Sequence, residues 1–222
     1  MIIIVARYNE NVEWVKQFAS VLIYNKGLEL NGFTNVINTE NVGREGHTYY
    51  KYICDNYDKL EDYMIFLQGN PFDHSPNIIS NINKYIDQLN NKTIDVDFTY
   101  LSEKILSSNL INCPFHLNLP LIETYEKIFD EKKQELKYYF GTGAQFIVSK
   151  TQILKRPKSF YEKIVQMLEY SVNPIEGFVI ERFHGLIFEN AQLQMNTQTS
   201  IQKKKKIKNR LMRIKLHGST IF

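Results

Sequence analysis

Hydrophobic residues run without interruption over positions 2–6 (IIIVA) and again over 63–67 (YMIFL). Runs of that length, rich in β-branched and aromatic residues, predict strands buried on both faces, as in a parallel sheet. Shorter apolar stretches at 21–24, 35–37 and 145–148 predict three further strands. Helical spacing appears between them. Val12, Val15 and Phe18 predict a short helix over 11–18 with Asn11 as its cap. Ile78, Ile79, Ile82, Tyr85, Ile86 and Leu89 form one stripe of a helix over 78–89. Further helices are predicted at about 45–57, 121–129, 159–170 and 175–188. Apart from its one helix, the stretch 90–137 has no regular pattern.

Strands alternating with helices predict an α/β fold, a mainly parallel sheet with helices on both faces. A single domain is expected over 1–200, followed by a basic tail over 201–222. Ligands of such sheets bind outside the carboxyl ends of the strands. The polar loops 7–10 and 68–74 both follow buried strands and lie on that edge. With the helix start at Asn41-Val42-Gly43-Arg44, they are expected to converge on one cleft.

Composition narrows the classes. The chain is 43% hydrophobic and 23% charged, which suits a folded domain rather than a disordered one. At 222 residues it can bury a core without disulfides or a structural metal. Its two cysteines, Cys54 and Cys113, form no CxxC pair, which favours a reducing compartment. The opening apolar run stops at Arg7, too soon for a signal peptide, and no stretch reaches the ~20 apolar residues of a membrane span. A soluble, cytoplasmic protein is expected. Residues 203–216 hold six Lys and two Arg and no acid; without those eight, 19 basic residues face 24 acidic ones. Such a tail is either solvated or suited to an anionic membrane or an acidic partner, with Ile207, Leu211 and Ile214 as a narrow apolar stripe. An acidic body and a tail without interleaved aromatics argue against nucleic acid. No GxSxG, HExxH, GxxxxGK[ST] or GxGxxG is present.

The segments VARYNE (5–10), NVGREGHTYYKYI (41–53), FLQGNPFDH (66–74), GAQFIVSK (143–150) and GFVIERFHGLIF (177–188) resemble, in the same order, the domain-of-unknown-function family 3431. That family is in turn similar to GT-A glycosyltransferases, in which a strand ending in a YN-type motif precedes an N-x-G helix start. An acidic metal-binding loop, a glycine-flanked strand and a late acid on a helix follow. The resemblance implies a GT-A-like, Rossmann-like fold. It also implies transfer of a sugar from a UDP- or GDP-linked donor to an acceptor hydroxyl. It assigns the nucleotide to Arg7, Tyr8, Asn9, Glu10, Gly43 and Arg44, and the sugar to Gln68, Asn70 and Gln145. Asp73 and His74 would take Mn or Mg, and Glu181, with Glu176 second, would be the catalytic base. One departure stands out: the strand at 63–67 ends in Gln68-Gly69-Asn70 instead of Asp-x-Asp. Asp95-Val96-Asp97 comes after a helix and is a chance match. A non-catalytic sugar- or nucleotide-binding module of the same fold is the competing expectation.

The chemistry of these residues fits either reading. Arg44, at a helix start, and Arg7 could stabilise a diphosphate; Arg44 could equally form a surface pair with Glu45 or Glu40. Asp73 is a hard ligand for a divalent ion and His74 a borderline one, or the two brace their own loop. Gln68 and Asn70 can bond sugar hydroxyls. Glu181 is expected opposite the apolar stripe of Phe178, Val179, Phe183 and Leu186, either solvated or facing the cleft as a base oriented by Arg182. Trp14 and Cys54 are expected in the core. His47 either lines the cleft or caps its helix.

Overall fold

A computed structural model of the chain describes residues 1–113 and 115–188. The basic tail lies outside the described residues. A six-stranded sheet has the order β3-β2-β1-β4-β8-β5. Strand β1 (Ile2–Arg7) pairs in parallel with β2 (Val21–Asn25) on one side and β4 (Tyr63–Gln68) on the other, and β3 (Val36–Asn38) extends β2 in parallel. Then the direction changes. Strand β8 (Phe146–Ser149) is antiparallel to β4, and β5 (Phe98–Tyr100) is antiparallel to β8. The sheet is therefore mostly parallel, with one reversed strand.

The unbroken apolar runs divide residue by residue between two cores, because successive strand side chains point to opposite faces. Ile4, Phe66, Phe146 and Val148 pack with α1 (Arg44–Asp55), α5 (Lys158–Leu168) and α6 (Ile175–Phe188). Ile3, Val5, Ile65 and Ile147 pack on the other face, with α2 (Ile78–Asn90) and the segment around Val12, Val15 and Phe18. Helices thus cover both faces. That last segment is a five-residue 3₁₀ turn, Glu13–Gln17, rather than the expected α-helix. Its three apolar residues are buried as expected, and Asn11 Oδ1 accepts the Glu13 N–H at 2.9 Å.

The stretch without a pattern holds more order than its sequence announced. Besides β5 it contains β6 (Ile105–Asn109), which pairs antiparallel with β7 (Lys137–Gly141) in a separate small sheet. Strand β5 has three residues and β6 reads ILSSN, too short and too polar to show a period. Helix α3 (Leu121–Phe129) lies between β6 and β7 in sequence, and the single turn α4 (Lys150–Ile153) follows β8. Strand β7, α1, α3, α5 and β5 all pack on α6. That enclosure corrects the expected one-sided stripe: α6 is buried from Val179 to Phe188 except at Glu181, which is itself only 14% exposed. Among the described residues, no helix is long and apolar enough to cross a membrane.

Candidate functional site

The sheet order reverses between β1, which leads to β2 and β3, and β4 on its other side. The loops leaving β1 and β4 both run onto the face that carries the Val12 segment and α2, and they meet at the carboxyl edge, where sheets of this kind bind ligands. A Cβ on Gly69 would come within 2.6 Å of Glu10 Oε2, and Trp14 Nε1 donates to Gly69 O at 3.0 Å. Trp14 is half-buried, edge-on to Phe72, so it clasps two loops as well as capping the core.

Arg7 ends β1 and is buried. Its Nε donates to Glu10 O at 2.9 Å, and its Nη1 donates to Tyr8 O, Asn25 Oδ1 and Leu28 O at 3.2, 2.5 and 3.1 Å. A buried guanidinium needs its donors matched, and here carbonyls of two neighbouring loops match them. The geometry places Arg7 as a knot between β1 and β2. Asn9 does similar work, its Oδ1 accepting the Leu28 N–H at 2.9 Å. Gly27 makes the approach feasible, since a Cβ there would lie 1.7 Å from Tyr8 O. Glu10 Oε2 accepts the Tyr8 N–H at 2.7 Å, and the Tyr8 side chain itself stands 51% exposed.

Lys26, in the turn after β2, is buried and donates from Nζ to Val42 O and Arg44 O, both at 2.5 Å. Burial pushes its ammonium down to about 8, with Glu45 opposing the shift. The turn it grips opens α1. Gly43 has φ 64°, and a Cβ on it would strike His47 Cβ at 2.5 Å and Leu168 Cβ at 2.8 Å. The N–H groups of Gly43 and Arg44 donate to Ser171 O and Val172 O. The helix start thus offers an incoming anion its dipole rather than these two donors.

The Arg44 guanidinium lies over the Phe178 ring at 4.0 Å, bonds Asn173 Oδ1 at 3.2 Å and sits 3.7 Å from Glu45 Oε2. The pair with Glu45 exists, but not on the surface: the side chains are 25% and 11% exposed. Burial raises the Glu45 carboxyl above the usual range, Arg44 and Lys26 pull it down, and Glu181 pushes it up. One turn along, the Tyr49 hydroxyl is buried with no hydrogen-bond partner among the described residues. Glu181 Oε1 accepts the Gly143 N–H at 2.9 Å, and Oε2 is 3.6 Å from Arg182 Nη1. Gly143 in turn lies against His74, where a Cβ would come within 2.5 Å of the imidazole. Glu181 and the loop after β4 are therefore one step apart.

Other expected residues have more local partners. Asn70 Nδ2 donates to Asp73 Oδ2 at 3.1 Å, and Asp73 and His74 are exposed. Gln68 is half-buried at the end of β4. Gln145 is wholly buried, with Nε2 donating to Pro71 O at 2.9 Å, so it braces the 68–74 loop from below. Glu176 accepts the Tyr170 hydroxyl at 2.6 Å. His47 packs beneath Gly43 with Nε2 3.5 Å from Glu169, and burial lowers its pKa. Asp95 accepts from Tyr63, at the amino end of β4, which sets Asp95-Val96-Asp97 at the edge opposite the cleft. Among the described residues, no three His, Cys, Asp or Glu gather as a metal site.

Sequence reasoning missed Lys26, Glu45 and Tyr49. Lys26 follows a predicted strand on the expected edge, and that position was its only signal. Glu45 and Tyr49 sit one turn apart on α1, and their spacing alone does not show that the helix buries them. No curated protein and no solved structure matches the chain. From residue 2 to residue 204, however, it matches one family throughout, and it belongs to that family, described as protein of unknown function (DUF3431).

Proposed function

We propose that the chain is a GT-A-like glycosyltransferase that moves a sugar from a UDP- or GDP-linked donor to an acceptor hydroxyl. The observation that supports this best is the reversal of strand order at the carboxyl edge between β1 and β4, with Arg44 at the start of α1 and Glu181 held by Gly143 beside the β4 loop. Arg44, preset by Phe178 and Asn173, meets the diphosphate, and the exposed Tyr8 ring offers a surface to the base. Gln68 and Asn70 take sugar hydroxyls. Arg7, Asn9, Glu10, Gly43 and Gln145 build the walls. Glu181 removes the acceptor proton, its carboxylate held by Gly143 and Arg182. One oxygen of Asp73 is engaged by Asn70 and the neighbouring His74 is exposed. These two would hold a Mn or Mg ion. Such an ion would supply charge to the leaving diphosphate.

A second reading, a sugar- or nucleotide-binding module without turnover, draws on β4 ending in amides where carboxylates are expected. Calorimetric titration with UDP and GDP tests the site shared by both. Arg44→Ala should weaken binding roughly ten- to a hundredfold, because a charge-assisted hydrogen bond contributes about 1.5–3 kcal/mol. Asp73→Asn should abolish the Mn-dependent part and leave binding in chelator unchanged. Wild-type affinity in both variants would place the diphosphate elsewhere and end this reading. Donor hydrolysis across nucleotide sugars separates enzyme from module.

A further inference from the structure

Several of the large apolar side chains left exposed among the described residues lie beside the candidate site. Tyr8 and Leu28 stand on the loops after β1 and β2, Val172 on the loop that bonds Gly43 and Arg44, and Ile175 at the start of α6. The most exposed rim is the loop between β6 and α3, where Phe115 is 73% and Leu117 88% exposed. Its root is fixed. Arg182 Nε donates to Cys113 Sγ at 2.7 Å, and the His116 ring packs on Phe178 at 4.8 Å, the same ring that carries Arg44. An anchored loop that holds apolar side chains out in water marks a contact surface.

Charge indicates the partner. Residues 104–122 contain no acid, and Lys104 Nζ lies 4.8 Å over the Phe115 ring. A lysine ammonium over the ring of an inserting aromatic lies at the depth where anionic headgroups begin. A protruding tip also suits a lipid interface better than a protein one, whose anchors fill packed, desolvated pockets. We propose that this rim of the cleft docks on an anionic membrane surface, with Phe115 and Leu117 as the inserted side chains. Docking stands without the transferase reading. Combined with that reading, and resting on it, it makes the acceptor a lipid-anchored hydroxyl presented at the bilayer.

The full chain is sedimented with phosphatidylcholine vesicles with and without phosphatidylserine, no sugar donor being present. It should bind the anionic vesicles, and Phe115→Ser combined with Leu117→Ser should weaken binding at least about tenfold. The basic segment 203–216 also favours anionic lipid, so a local probe is needed. Leu117→Cys carrying an environment-sensitive dye supplies it, since Cys54 and Cys113 are buried. The dye should shift to the blue when vesicles are added. An unmoved dye on a sedimenting chain would assign binding to another segment and overturn the proposal. So would a dye already shifted without lipid, or a dimer that the double variant dissolves, because the loop is then covered by protein. A transferase that shows the dye shift yet ignores lipid-anchored acceptors would defeat only the acceptor step.

Discussion

Glu181 and Glu176 lie five residues apart on α6 and are held in different ways. Glu176 takes a tyrosine hydroxyl from its own connecting loop. Glu181 takes a backbone N–H from Gly143, which lies against His74 of the β4 loop, and it stays 14% exposed. A carboxylate so placed is fixed in orientation without being sealed from a substrate. Glu181→Gln keeps the size and an oxygen for Gly143, but it cannot accept a proton. Turnover should fall roughly 10²–10⁴-fold, the usual scale for a lost general base, with UDP affinity near wild type. Glu176→Gln should leave both near wild type. If Glu181→Gln lowered affinity and turnover together, the residue would be a strut and not a base. Arg7 is held differently again. A cation after a buried strand suggests a phosphate ligand, and in the fold its partners are carbonyls and an amide of its own loops.

At the scale of elements, what could be read in advance followed from period. The runs IIIVA and YMIFL had no polar member, so both strands had to be central, and β1 and β4 are adjacent. The ranges of α3 and α6 were also legible, because apolar spacing marked their ends. Strand direction was not. Nothing in GAQFIVSK distinguishes a strand antiparallel to β4 from one parallel to it, since burial on both faces gives the same composition. The cleft was legible as an edge, through the loops after β1 and β4. Its interior was not, because Lys26, Glu45 and Glu181 meet only through the docking of α1 and α6. Gly43 controls that docking. Its φ of 64° and its closeness to His47 and Leu168 leave no space for a side chain. Gly43→Ala should cost about 1–3 kcal/mol by denaturant titration, through strain and displacement of the α1 start. It should weaken nucleotide binding as well, because Arg44 is the next residue. An unchanged midpoint would show that the turn relaxes freely.

For the whole molecule, two buried titratable groups on the helices that frame the cleft pull stability in opposite directions with pH. His184 on α6 is fully buried, and its Nδ1 is 2.8 Å from the Tyr50 hydroxyl of α1. Burial pushes its pKa down to about 3. Between the unfolded value near 6.5 and about 3, the unfolded chain binds a proton that the fold refuses. Stability is therefore present above 6.5 and lost as pH falls through that window, on the order of 1.4 kcal/mol per pH unit for one proton. Glu45 on α1 behaves in the reverse sense. Its raised pKa gives stability that is complete below the ordinary carboxylate range and lost as pH rises through the folded value. Thermal melts of wild type, His184→Gln and Glu45→Gln from acid to neutral pH separate the two. Relative to wild type, His184→Gln should gain steadily as pH falls below 6.5, whatever packing it loses at neutral pH. Glu45→Gln should gain as pH rises instead. Curves for either variant that run parallel to wild type would mean that the group titrates as in the unfolded chain, and that water reaches the junction of α1 and α6.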